Sequence, residues 1–279
     1  MFSLGKEFRL KRLIRQETKS CVICALDHGM TSPKFLSGLR DMQARVEEAQ
    51  RGGANVFMLS KGFARMVVER LNRDTSFAMM LSASAAGCTQ PNIIVEIGQV
   101  EEALRLGADA VVVYVALTGE NEAQMINFLA RVGGECERLG MPFIAEAEFP
   151  SAYATLESLQ HDYGFDYLIR NCRLCAELGA DIVKTNWPGS EKLFAEILQA
   201  TKLPMVVAGG TLISDKELLE RMEQGMRAGG VGCSVGRNIF QHEDPFAITG
   251  ALSRVIHERW TAKEALQELQ DALAKPKRK

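Results

Sequence analysis

The sequence predicts an α/β fold built as a single (β/α)8 barrel, and three observations lead there. A helix-periodic stretch repeatedly closes on glycine and gives way to an apolar run. Gly52-Gly-Ala-Asn55 precedes Val56–Leu59, Gly107-Ala-Asp109 precedes Ala110–Val115, Gly179-Ala-Asp181 precedes Ile182–Lys184, and Ala228-Gly-Gly230 precedes Val231–Ser234. The glycine permits the left-handed residue that ends a helix, and the continuous apolar run marks a strand buried on both faces. Eight such strands fit the 279 residues, the length of one barrel of this kind. Finally, the first strand ends in Asp27-His-Gly29 and not in the glycine fingerprint expected after the first strand of an open nucleotide-binding sheet.

In chain order the strands are expected at Cys21–Asp27, Asn55–Ser60, Ser76–Ser82, Ala110–Ala116, Pro142–Glu148, Asp181–Thr185, Pro204–Ala208 and Val231–Val235. Helices are expected at Phe35–Gln50, Gln99–Leu106, Glu122–Leu139, Phe165–Leu178, Ser190–Ala200 and Asp215–Arg227, with a short or irregular link between strands two and three. The basic, amphipathic start, Met1 to Ile14, reads as a helix covering the base of the first strand. Thr261–Leu273 reads as an extra C-terminal helix whose Ala265, Leu266, Leu269 and Leu273 stripe suits a subunit contact. Lys275-Pro-Lys-Arg-Lys279 is a solvated basic tail. No linker divides the chain, so one domain over 1–279 is expected, with its core at about 12–257.

Composition narrows the function. Lys and Arg number 33 against 35 Asp and Glu, a net charge of −2, which argues against a protein that coats nucleic acid. No run approaches the ~20 apolar residues of a membrane-crossing helix. Seven cysteines, an odd number in a long chain, suit a reducing, cytoplasmic setting and not a disulfide scaffold. Cys21 and Cys24 sit in a strand, where positions i and i+3 face opposite ways, and Cys172 and Cys175 sit in a helix. Both pairs read as core filling, and no metal is expected.

Active-site residues of such a barrel come from the C-terminal ends of its strands. In Asp181-Ile-Val-Lys-Thr-Asn-Trp187, Ile182, Lys184 and Asn186 share one face. A lysine inside the barrel is either paired with a carboxylate or, with burial lowering its pKa, an amine nucleophile. In strand five, Phe143, Ala145, Ala147 and Phe149 form an apolar face for the helices, so Glu146 and Glu148 should point inward toward Lys184 and balance it or move protons. Asp27 ends strand one within reach of a substrate hydroxyl, whereas His28 points to the other side and reads as structural. Lys61, ending strand two, either binds an anion or is a surface lysine. Gly209, Gly210, Gly236 and Arg237 lie in the loops after strands seven and eight, where backbone N–H groups form an anion site.

Asp27-His-Gly29, Leu59-Ser-Lys-Gly62, Gly179-Ala-Asp-Ile-Val-Lys-Thr185, Val207-Ala-Gly-Gly210 and Val235-Gly-Arg-Asn-Ile-Phe-Gln241, in that order, resemble the DeoC/FbaB class I aldolases, and within them the DhnA-type branch, from about Arg12 to His257. The resemblance implies that Lys184 forms a Schiff base with a keto substrate, that Asp27 binds substrate or transfers protons, and that Gly209, Gly210, Gly236 and Arg237 hold a phosphate. Lys61 and Asn186 complete the expected substrate-binding set. The resemblance also implies a homo-oligomer, as large as a decamer, with no cofactor beyond the covalent lysine. Two departures stand out. Many aldolases of the branch carry Tyr-Pro-Arg-Gly after strand five, the tyrosine being the proton donor, where this chain has Glu148-Phe-Pro-Ser151. Fructose-bisphosphate aldolases of the branch have a second lysine where this chain has Asn186. The expected reaction is therefore aldol cleavage or formation, or transaldol transfer, on a phosphorylated keto sugar. The branch also holds the LsrF thiolase, so an acetyl transfer from a phosphorylated diketone, with coenzyme A as acceptor, is the alternative. A non-catalytic ligand-binding barrel is a third reading.

Overall fold

The structure is a computed structural model that describes residues 3–32, 34–84, 93–117, 121–150 and 164–275. Cys88 and the tail beyond Lys275 lie outside the described residues. Eight parallel strands close into a barrel: β1 (Cys21–Ala25), β2 (Val56–Leu59), β3 (Ser76–Met80), β6 (Ala110–Val115), β7 (Phe143–Ala147), β8 (Ile182–Thr185), β9 (Met205–Ala208) and β10 (Gly232–Val235). The fifth to eighth barrel strands are thus β7 to β10. The remaining two strands, β4 (Ser82–Ser84) and β5 (Ile94–Glu96), form a small antiparallel pair beyond the end of β3. The expected third strand, drawn through Ser82, merges two elements that belong to different sheets.

Helices follow most strands: α2 (Met42–Arg51), α3 (Lys61–Val67), α4 (Val100–Arg105), α5 (Glu122–Leu139), α6 (Gly164–Glu177), α7 (Glu191–Thr201) and α8 (Asp215–Arg227). Helix α3 corrects the irregular link expected between strands two and three. Its N-cap, Ser60, makes no side-chain capping bond and its second residue is Gly62, so the usual start signal is absent. The short α9 (Arg237–Phe240) and α10 (Pro245–His257) follow β10. No helix among the described residues is long and apolar enough to cross a membrane.

Alternation along the strands sorts two cores. Val111, Val113, Phe143, Ala145 and Val183 pack outward against the helices. Cys21, Ile23, Val56, Met58, Val112, Ile144 and Ile182 fill the lower barrel. Cys21 faces in and Cys24 faces out, so this pair does not converge on one ion.

The repeated Gly-Ala-Asx segments have a physical purpose that the pattern alone did not disclose. The Asn55 Oδ1 accepts from Val22 N at 2.8 Å, an Asp109 oxygen from Phe77 N at 3.2 Å, and an Asp181 oxygen from Phe143 N at 2.8 Å. Each side chain thereby satisfies a backbone donor in the first two residues of a neighbouring strand. The same three residues also seat the N-terminal helix α1 (Leu4–Leu13): Asn55 donates to the Leu13 carbonyl, Asp109 pairs with Arg12, and Asp181 pairs with Lys6 at 3.1 Å. Helix α1 therefore closes the whole base of the barrel and not the first strand alone. Buried Leu13 is part of the cluster that fills the lower barrel.

The C-terminal helix α11 (Ala262–Leu273) opens on a capping box between Thr261 and Glu264. Its Ala265 and Leu269 are buried, and Leu266 and Leu273 pack against the outer core of the same chain, beside α8 and α10. The stripe expected to contact another subunit packs within the chain itself.

Candidate active site

Barrel register brings the predicted residues together. Glu146 is paired with Lys184 across β7 and β8, and Tyr114 of β6 with Glu146. Parallel register partners face the same side, so Tyr114, Glu146 and Lys184 form one inward row on three consecutive strands. The Lys184 Nζ lies 2.5 Å from a Glu146 oxygen and 3.2 Å from a Glu148 oxygen. Glu146 is 3% exposed and Lys184 8%, so an ammonium without those partners would be costly there. Asp27, also buried, follows the end of β1, and the charges of Lys184 and Glu148 act on it.

The electrostatics correct one expectation. Burial alone pulls Lys184 down, as the sequence reading assumed, but the carboxylates of Glu146, Glu148 and Asp27 outweigh it and hold the amine above its ordinary value. Lys184 therefore rests as an ammonium. Three acids share this one cation, and they cannot all remain ionised cheaply. Burial pushes Glu146 up to about 8; the Lys184 charge opposes this, and Asp27 and Glu148 add to it. Asp27 is also raised, by burial first, with Lys184 opposing and Glu148 adding. The site thus combines a protonated amine with one carboxyl group, that of Glu146, tuned toward neutral pH, the range in which an acid–base group works best.

The loops after β9 and β10 are tied to each other. Gly209 N donates to the Ser234 carbonyl at 3.0 Å. The Asn238 amide donates to the carbonyls of Gly209 and Thr211 and accepts from Ile213 N. Gly210 adopts φ +68°, a conformation that favours glycine. Gly236 is required by contact: a Cβ there would lie 2.2 Å from His28 Cε1 and 2.6 Å from the Ala25 carbonyl oxygen. Arg237 follows directly, and its charge acts on His28.

The other expected residues take other partners. Lys61 is not gathered into this cluster; its ammonium meets Glu102 of α4 at 3.1 Å. Asn186 accepts from Phe149 N at 2.8 Å, bracing the chain after β7. The sequence reading missed Tyr114, which donates to the Phe149 carbonyl at 2.9 Å, although alternation along β6 contains the signal. It also assigned His28 to structure. The ring packs edge-on against Phe240 with centroids 5.1 Å apart, and its Nδ1 lies 3.9 Å from an Asp27 oxygen. Burial, then the charges of Arg237 and Lys184, push His28 down to about 3, so the imidazole is neutral.

The model of the DeoC/LacD family aldolases matches residues 21–242, which spans every barrel strand and both glycine loops. The chain belongs to the DeoC/LacD aldolase family. With that membership it is an enzyme of the aldolase class. It is 34% identical over 259 residues to the 2-amino-3,7-dideoxy-D-threo-hept-6-ulosonate synthase of Halobacterium salinarum, covering 92% of this chain and 94% of that protein. It is likewise 34% identical over 258 residues to the 2-amino-4,5-dihydroxy-6-oxo-7-(phosphonooxy)heptanoate synthase of Streptomyces griseus, covering 92% of each. Among solved structures, a Schiff-base-forming fructose-1,6-bisphosphate aldolase superposes with a TM-score of 0.77 at 23% identity, over 90% of this chain and 99% of that one. This likeness shows that the DeoC/LacD chain shares that barrel fold.

Proposed function

We propose that this DeoC/LacD aldolase works through a Schiff base on Lys184 and makes or breaks a carbon–carbon bond of a phosphorylated keto substrate. The observation that carries the reading is Lys184 itself: a buried lysine inside the barrel, 2.5 Å from one carboxylate and 3.2 Å from a second. A lysine kept only for structure needs one counter-charge; three acids around one amine supply places for protons to go.

In the cleavage direction, Glu146 takes a proton from the Lys184 ammonium. The freed amine attacks the substrate carbonyl carbon, a C–N bond forms, and the carbonyl oxygen leaves as water after protonation. Glu148 stabilises the resulting iminium cation. Asp27 removes the proton of the hydroxyl on the bond to be broken; that oxygen becomes an aldehyde carbonyl, and the electrons of the C–C bond pass to the iminium, leaving an enamine on Lys184. Protonation of the enamine carbon and hydrolysis release the second product and restore the lysine. Gly209, Gly210, Gly236 and Arg237 bind the phosphate, in the loops where barrels of this type commonly do so. The phosphonooxy keto acid in the name of the Streptomyces relative supports a phosphorylated substrate.

The test is borohydride trapping with a panel of phosphorylated ketoses and diketones, read by intact mass. The wild type gains the reduced adduct and Lys184→Met gains none while keeping its circular dichroism. Trapping that persists in Lys184→Met, or that maps to Lys61, defeats the assignment.

A further inference from the structure

The phosphate reading leaves one ring at the barrel mouth without a task. His28 lies just past the end of β1, in the turn His28–Met30, and its ring is seated under Gly236. Only a glycine at 236 leaves room for it, since a Cβ would overlap Cε1. The Nδ1 is fully covered and has no hydrogen-bond partner among the described residues, yet the side chain keeps 17% of its surface. The charged groups acting on the ring are Asp27, with an oxygen 3.9 Å from Nδ1, and the cations Arg237 and Lys184. His28 therefore feels the charge of both the amine that would hold the carbonyl carbon and the arginine that would hold the phosphate.

We propose that His28 is a ligand of the substrate phosphate, and that its imidazole takes up one proton from solvent as the dianion binds. This inference rests on the phosphate site proposed above. Empty, the ring is neutral, because burial and two cations disfavour a third positive charge. A bound dianion reverses the sign of the local field: it offsets Arg237 and offers an acceptor to a ring N–H. With an Asp27 oxygen 3.9 Å from Nδ1, the protonated ring also has a carboxylate beside it. Phosphate recognition and protonation are then one linked event, with affinity increasing as pH falls through the pKa of the bound state.

Sulfate is the probe, because it does not itself titrate near neutrality. Calorimetry at about pH 6, in two buffers of different ionisation enthalpy, should show sulfate binding with net proton uptake. His28→Gln should bind sulfate about tenfold more weakly with no uptake, a charge-assisted hydrogen bond having been lost. Nitrogen NMR of histidine-labelled wild type, assigned with that variant, should show the His28 ring moving to the imidazolium form on saturation. This readout does not depend on how well the variant folds. If sulfate binds in an Arg237-dependent way while the His28 ring stays neutral and His28→Gln binds equally well, the inference is overturned and the phosphate site stands. If the wild type binds neither sulfate nor inorganic phosphate, both fall.

Discussion

The exchange of a proton between Lys184 and Glu146 yields the most discriminating experiment, because Glu146→Gln pulls the rate in two directions. The substitution removes the nearest of the carboxylates that hold the lysine protonated, at 2.5 Å, and leaves Glu148 at 3.2 Å. Losing one opposite charge at this range lowers a lysine pKa by about two units, or about 2.7 kcal/mol, and on its own would make the free amine roughly a hundredfold more abundant. The same substitution removes the acceptor for the ammonium proton. A positioned base is worth about 10² to 10⁴ in rate, and Glu146, pushed up to about 8, is well matched to that task at neutral pH. The second effect wins. Imine formation at pH 7, followed as the rate of borohydride-trapped adduct, should fall about tenfold. Above pH 8 it should keep climbing about tenfold per pH unit in the variant, because bulk base now sets the amine fraction, while the wild type levels off once Glu146 is ionised. Trapping that is as fast or faster in Glu146→Gln at pH 7, with no new pH dependence, would show Glu146 to be only a counter-charge.

Arg237→Ala should weaken phosphorylated substrates by roughly 1.5–3 kcal/mol and spare their unphosphorylated analogues, as inhibition constants for the two will reveal; equal losses would place the phosphate elsewhere. Gly236→Ala should disable the same site without touching Lys184, because the new methyl displaces the His28 ring or the Ala25 carbonyl; undiminished sulfate binding would refute that packing. Lys6→Met should lower the thermal midpoint by breaking the contacts to half-buried Asp181 and exposed Glu137, at a cost of about 1.5–3 kcal/mol. Burial pulls Lys6 down, but Asp181 and Glu137 raise it above its ordinary 10.5. Its stabilising contribution is therefore complete at neutral pH and is lost only as pH climbs past that value. Wild type and variant denatured at about pH 7 should differ, and the gap should close in strong alkali.

What the sequence disclosed, and what it withheld, follows the range of the physics involved. Strand and helix runs are local, so the barrel was legible from periodicity and glycine stops. Period two placed Glu146, Glu148 and Lys184 on inward faces correctly, because all three lie in or just beyond regular strands. The charge state of Lys184 was not legible in the same way. Burial and carboxylate pairing act on it with opposite signs, and the balance is decided by the register that pairs Glu146 with Lys184, a relation between strands and not within one. His28 fails for a sharper reason. The alternation argument assumed a strand through Asp27, but β1 ends at Ala25 and Asp27 has φ −84° and ψ 1°, so period two no longer says where residue 28 points. The turn instead folds the ring under the loop after β10, and Gly236 is the residue whose missing side chain admits it. The first and last strands of a closed barrel are neighbours, as the pairing of β1 with β10 requires. The motif that ends the first strand and the glycine that ends the last therefore form one structure, and a site read strand by strand divides between two loops what closure of the barrel makes a single wall.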